Sequence, residues 1–111
     1  MNKQLKLIVN VIDEKKGEDI NIIDMSNVAS LASYYVICSV NSERQASAIA
    51  NEIEKELIKN KMPYNHTEGK RSDCKWILVD ADEVIIHIFT KSEREIYNLD
   101  LLWGDQPHIS Y

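Results

Sequence analysis

Glycine is scarce in this chain: only Gly17, Gly69 and Gly104 among 111 residues. None sits between a strand and a helix, which argues against a glycine-rich cradle of backbone N–H groups for phosphate. Proline occurs only at positions 63 and 107, so long uninterrupted elements can form between them. The two cysteines, Cys38 and Cys74, lie within apolar runs. That placement suits buried thiols in a reducing compartment better than a disulfide framework. No apolar run approaches the ~20 residues of a membrane span. The N-terminal stretch is too polar and interrupted for a signal peptide, so a cytoplasmic protein without membrane contact is expected.

Basic residues are the minority, with 13 Lys and Arg against 18 Asp and Glu, a net charge of −5. Because phosphate binding is driven by Lys and Arg, little direct nucleic-acid binding is expected. A basic protein partner suits this surface better, although such a charge is also ordinary for soluble proteins. Hydrophobic residues at 44% and charged residues at 28% exclude a disordered chain. The length suffices for one domain, residues 1–111, with a single core.

The chain is organised around residues 74–89, CKWILVDADEVIIHIF, two β-rich runs flanking a polar break. This predicts a β-hairpin. A two-residue Ala81-Asp82 turn, with Asp82 left-handed, pairs Val79 with Val84, Ile77 with Ile86 and Trp76 with His87. Alternation then sorts Ile77, Val79, Val84, Ile86 and Ile88 onto a core face. The other face carries Trp76, Leu78, Asp80, Glu83, Ile85, His87 and Phe89, a mixture typical of neither core nor surface.

Around the hairpin, Leu5, Ile8, Val9 and Ile12 predict a helix over 3–16, capped by Gly17. Strands are expected over 19–25 and 34–40, as antiparallel neighbours, joined by a small-residue connection with room for one helical turn. Ser42 and Gln45 form a capping box for a helix ending near Asn60, with Ala46, Ile49, Ala50, Ile53 and Leu57 inward. Residues 64–68 read as a short strand, and 69–73 as a polar loop whose Lys70-Arg71 pair is expected to stay solvated. A second capping box at Ser92–Glu95 starts a last helix lined by Ile96, Leu99 and Trp103, ended by Gly104 and Pro107. The sum is an α/β domain with a mixed five-stranded sheet.

Candidate chemistry is thin. Asp80 and Asp82 make a carboxylate pair that could hold a divalent metal, with Asp24 as a third ligand, as in a nucleotidyl transferase. Asp-x-Asp is equally a common turn composition, and no phosphate cradle accompanies it. His66, His87, His108, Cys38 and Cys74 lack metal-ligand spacing, so no metal or cofactor is expected. Neither cysteine sits in a thiolate-stabilising context. His87 is either a satisfied core histidine or a polar handle beside Trp76.

The segments SVNSERQ (39–45), Glu68-Gly69, WILVD (76–80), VIIHIF (84–89), REIYNL (94–99) and LWGD (102–105) are specific when taken together and in order. With them the chain resembles the ribosomal silencing factor family, also called Iojap-like, from about Asp19 to Pro107. Ala81-Asp82 replaces the aromatic-glycine turn usual there. The resemblance implies a nucleotidyltransferase-like sheet without transferase activity. It also implies binding of the fourteenth large-subunit ribosomal protein at the intersubunit face, obstructing subunit joining when nutrients are short. Trp76, Leu78, Asp80, Ile85, His87 and Phe89 are the expected contact residues, with Arg94, Tyr97 and Trp103 either reaching the same region or bracing it. A homodimer is left open. The competing classes are a transferase using Asp80 and Asp82, and a generic partner-binding module.

Overall fold

The hairpin lies in the middle of one six-stranded sheet. The computed structural model describes residues 2–28, 32–70 and 73–111. The order of elements is α1 (Lys3–Glu14), β1 (Glu18–Asp24), β2 (Tyr34–Val40), α2 (Glu43–Lys59), β3 (His66–Glu68), β4 (Trp76–Ala81) and β5 (Val84–Thr90). They are followed by α3 (Lys91–Tyr97), a single helical turn α4 (Leu99–Leu102) and β6 (His108–Ile109). The strands are ordered β3-β4-β5-β2-β1-β6. Only β2 and β5 pair in parallel, so the sheet is mixed, and β1 and β2 are antiparallel neighbours as expected.

One face is closed by α1 and α2. Ile77, Val79, Ala81, Val84, Ile86 and Ile88 pack there against Leu5, Ile8, Ile12, Ile49, Ile53 and Leu57 in one cluster. Each fully buried side chain of this size contributes about 1.5–3 kcal/mol of hydrophobic stabilisation. Ser42 caps α2 by accepting from Gln45 N–H at 3.1 Å. The Gln45 side chain reaches back one residue further than a simple capping box, accepting from Asn41 N–H at 2.8 Å. Its amide also donates to the Lys15 and Lys16 carbonyls, fastening α2 to the end of α1.

Several expectations are corrected. The sheet has six strands, because residues after Pro107 pair Ile109 with Ile22 and His108 with Ile23 on the free edge of β1. Two residues are too few for a periodic signal. In the hairpin, the turn is Asp82-Glu83, and Ala81 pairs with Val84, Val79 with Ile86, Ile77 with Ile88 and Trp76 with Phe89. Asp82 is left-handed (φ 68°) as expected, and the Asp80 carboxylate accepts its N–H at 3.0 Å. The slip is two residues, so every side chain keeps its face.

At the end of α1, Lys16 rather than Gly17 takes the left-handed conformation (φ 68°). Gly17 is required for a different reason: a Cβ there would collide with Ile12 Cγ2. The last helix starts at a Thr90 cap, placing Ser92 inside α3, and Asn98 (φ 41°) breaks it in two. Ile96, expected inward, is 70% exposed. The strand expected over 64–68 begins only at His66. Residues 29–31, within the expected turn after β1, and Arg71 and Ser72 lie outside the described residues.

Candidate functional site

The second face of the sheet is closed at one end only. Alternation and the observed register bring Trp76, Leu78 and Asp80 of β4 alongside Ile85, His87 and Phe89 of β5, and Tyr35, Ile37 and Ser39 of β2. After β5 the chain turns back and lays α3 and α4 against part of this face. Ile23, Met25, Ile37 and Phe89 form a small second core there, with Tyr35, Trp76, Leu99 and Trp103 packed around it.

Phe89 is wholly buried and forms the floor. Trp76 stacks on it with ring centroids 4.9 Å apart and meets Tyr97 of α3 at 4.6 Å. The indole N–H of Trp76 donates to His87 Nδ1 at 3.2 Å. Tyr35 lies 4.8 Å from the His87 ring and meets Trp103 in a T-shaped arrangement at 6.4 Å. His87 is only 4% exposed, and burial alone pushes its imidazole pKa down to about 4, so it is neutral near pH 7. Trp76, Leu78, Ile85 and Tyr35 remain half-buried, and Tyr97 is 50% exposed.

Arg94 braces this arrangement from behind. Its guanidinium grips Asp100 in a two-pronged pair, Nε to Oδ2 at 3.0 Å and Nη2 to Oδ1 at 2.9 Å. Nη1 donates to the Asp19 carbonyl and to Ser39 Oγ, at 2.7 and 2.9 Å. Asp100 also accepts from Asn21 Nδ2, and Asn21 Oδ1 meets His108 Nδ1, so the network ties α3 and α4 to β1, β2 and β6. The Arg94 hydrogen bonds hold the Asp100 carboxyl below the usual carboxylate range, against the opposing effect of partial burial. Cys38 is inert, its thiol pushed up to about 12 by burial despite the charge of Arg94.

Asp80 serves the turn. One oxygen accepts from Asn65 and from Asp82 N–H, and the other lies 3.7 Å from His66 Nδ1. His66 also contacts Glu68 at 2.8 Å. Asp24 binds the Ser26 N–H and hydroxyl instead, which lowers its pKa. Three strand spacings separate it from Asp80 of β4, about 14 Å. The expected third metal ligand is therefore out of reach. Among the described residues no group of three His, Cys, Asp or Glu side chains converges as a metal site.

Of the nine residues singled out from the sequence, Trp76, Phe89, His87 and Tyr97 form one cluster, and Leu78, Asp80 and Ile85 extend the same face. Trp103 reaches it through Tyr35, while Arg94 supports it from beneath. Tyr35, Asn21, Ser39 and Asp100 escaped sequence reasoning. Alternation within β2 would have placed Tyr35 on this face once β2 was known to adjoin β5. Nothing local signals the Arg94–Asp100 pair, which depends on the break at Asn98.

What fold and face define is an α/β domain whose sheet has one packed face and one partly open aromatic face. A family model described as "Ribosomal silencing factor during starvation", RsfS, matches residues 1–111. The chain belongs to the RsfS family, whose members are ribosome-binding factors and not enzymes. It is 41% identical to Ribosomal silencing factor RsfS of Bacillus subtilis over 103 residues, covering 93% of this chain and 86% of that one. It is 38% identical over 105 residues to the factor of the same name from Halalkalibacterium halodurans, covering 95% and 89%. A Chromobacterium violaceum crystal structure superposes with a TM-score of 0.87 at 30% identity, covering 94% of this chain and 88% of that one. No helix among the described residues is long and apolar enough to cross a membrane.

Proposed function

We propose that this protein silences ribosomes sterically, by docking the open aromatic face of its sheet on a basic protein of the large subunit at the surface where the small subunit joins. The resemblance in sequence motifs names that protein as the fourteenth of the large subunit. The observation that carries the reading is the half-covered face itself. Trp76, Leu78, Ile85 and Tyr35 are left partly open beside helices bearing exposed Ile96, Tyr97, Leu101 and Leu102. Interfaces concentrate energy in such rigid aromatic anchors at their centre. Around the hairpin end, Glu68, Asp82 and Glu83 are exposed and Asp80 half-buried, a carboxylate rim that complements a basic partner. The nucleotidyltransferase-like sheet serves here as a docking platform.

A domain of this size carries no motor, so occupied volume is its simplest means of blocking subunit association. Added to free subunits, the protein is expected to co-sediment with large subunits and to lower the yield of joined ribosomes. Preformed joined ribosomes should be left largely untouched. Equal inhibition of both populations in gradient sedimentation would overturn the steric mechanism.

A further inference from the structure

We propose that His87 is a positioning residue for the docking face, its Nδ1 lone pair holding the Trp76 indole in the orientation a partner meets. The inference rests on the docking reading above and deepens it. An indole N–H can only donate, so the 3.2 Å contact from Trp76 Nε1 requires Nδ1 of His87 to be the bare acceptor. In the neutral imidazole the proton then sits on Nε2. That nitrogen is buried and has no hydrogen-bond partner among the described residues.

A buried N–H without an acceptor is a cost that an apolar side chain at this position would avoid. The surroundings would welcome one. His87 sits opposite Leu78 and Ile37 in the sheet, with the rings of Tyr35, Trp76 and Phe89 around it. Packing alone therefore favours Phe or Leu. What the imidazole adds is one acceptor, and the group it serves is the indole, whose other ring neighbours among the described residues are Phe89 and Tyr97. Stacking leaves a ring free to slide, whereas a hydrogen bond at the indole edge fixes its rotation. Burial keeps the imidazole neutral, so the acceptor persists through the physiological pH range.

Two substitutions separate positioning from packing. His87→Phe keeps a ring but removes the acceptor. His87→Asn places an amide oxygen near the position of Nδ1 and replaces the Nε2 donor with an amide NH2 near the position of Cδ2. Long-range nitrogen–proton NMR of the wild-type imidazole should report the Nε2–H tautomer, and the Trp76 indole proton should exchange slowly. That protection should survive in His87→Asn and vanish in His87→Phe. Affinity for isolated large ribosomal subunits should fall about five- to tenfold in His87→Phe, as the loss of one neutral hydrogen bond predicts, and recover in His87→Asn.

An Nδ1–H tautomer in the wild type, which needs no variant to observe, would overturn the assignment. So would unchanged indole exchange in His87→Phe, or a loss of affinity matched by a collapsed melting transition. Trp76→Ala separates the two levels of the proposal. If it binds large subunits as tightly as wild type, the docking face is wrong and His87 positions nothing relevant. If it keeps a wild-type melting transition and binds weakly while His87→Phe binds tightly, the face stands and the positioning role falls.

Discussion

Arg94 and His87 show two ways in which a buried polar group is accommodated. Arg94, with its side chain 15% exposed, spends its donors on Asp100, Ser39 and the Asp19 carbonyl. Removing it strands a partly buried carboxylate and a hydroxyl, so Arg94→Ala is expected to cost about 2–3 kcal/mol in urea unfolding. Arg94→Lys should recover less than half of that, because an ammonium cannot reproduce the two-pronged grip. His87 is a base whose folded pKa, about 4, lies below its unfolded value near 6.5. Between those values the unfolded chain takes up a proton that the folded chain refuses. Stability is therefore complete above about pH 6.5, and about 3 kcal/mol is lost as the pH falls to 4. Asp100, whose pKa is depressed, contributes its own loss only at lower pH. Urea unfolding across pH 4–7 should show this slope in the wild type and a flatter one in His87→Asn.

Among the elements, the two serine-led helix starts look alike in sequence and differ in structure. Ser42 is a true N-cap, its hydroxyl accepting from Gln45 N–H, and Ser42→Ala should cost about 1 kcal/mol. Ser92 stands exposed inside α3, behind the Thr90 cap, and Ser92→Ala should stay within about 0.5 kcal/mol of wild type. Equal costs in chemical denaturation would contradict the observed start of α3. Thr90 heads α3 because it is the last ladder residue of β5, paired with Val40, so the strand sets where the helix begins. At the N-cap of α4, Asn98 has a left-handed backbone and its side chain accepts from Leu101 N–H at 3.3 Å. That break turns Asp100 towards Arg94 and leaves Leu101 and Leu102 outward.

For the molecule as a whole, Leu101 and Leu102 give the cleanest separation of folding from binding. They are 76% and 62% exposed, so a Leu101→Ser/Leu102→Ser double variant should melt close to wild type. Its affinity for large subunits should fall if these side chains extend the proposed docking face, and unchanged co-sedimentation would remove them from that proposal. Trp76 is a less clean probe, because it is half core and half surface, stacked on Phe89 yet still open to solvent. The sequence by itself determined the two faces of the hairpin, since alternation survives a slip of two residues. It also determined α1, α2 and their inward residues, whose period and Ser42 cap are local properties. The motifs from Ser39 to Asp105 were enough to identify the family. Tertiary structure decided the rest. Register was settled by the backbone at Asp82 and the carboxylate of Asp80, and β6 exists only because β1 offers an unpaired edge. Which part of the aromatic face stays open follows from where α3 and α4 come to rest. That in turn depends on Arg94 finding Ser39, Asp19 and Asp100, partners 55, 75 and 6 residues away, which no local pattern encodes.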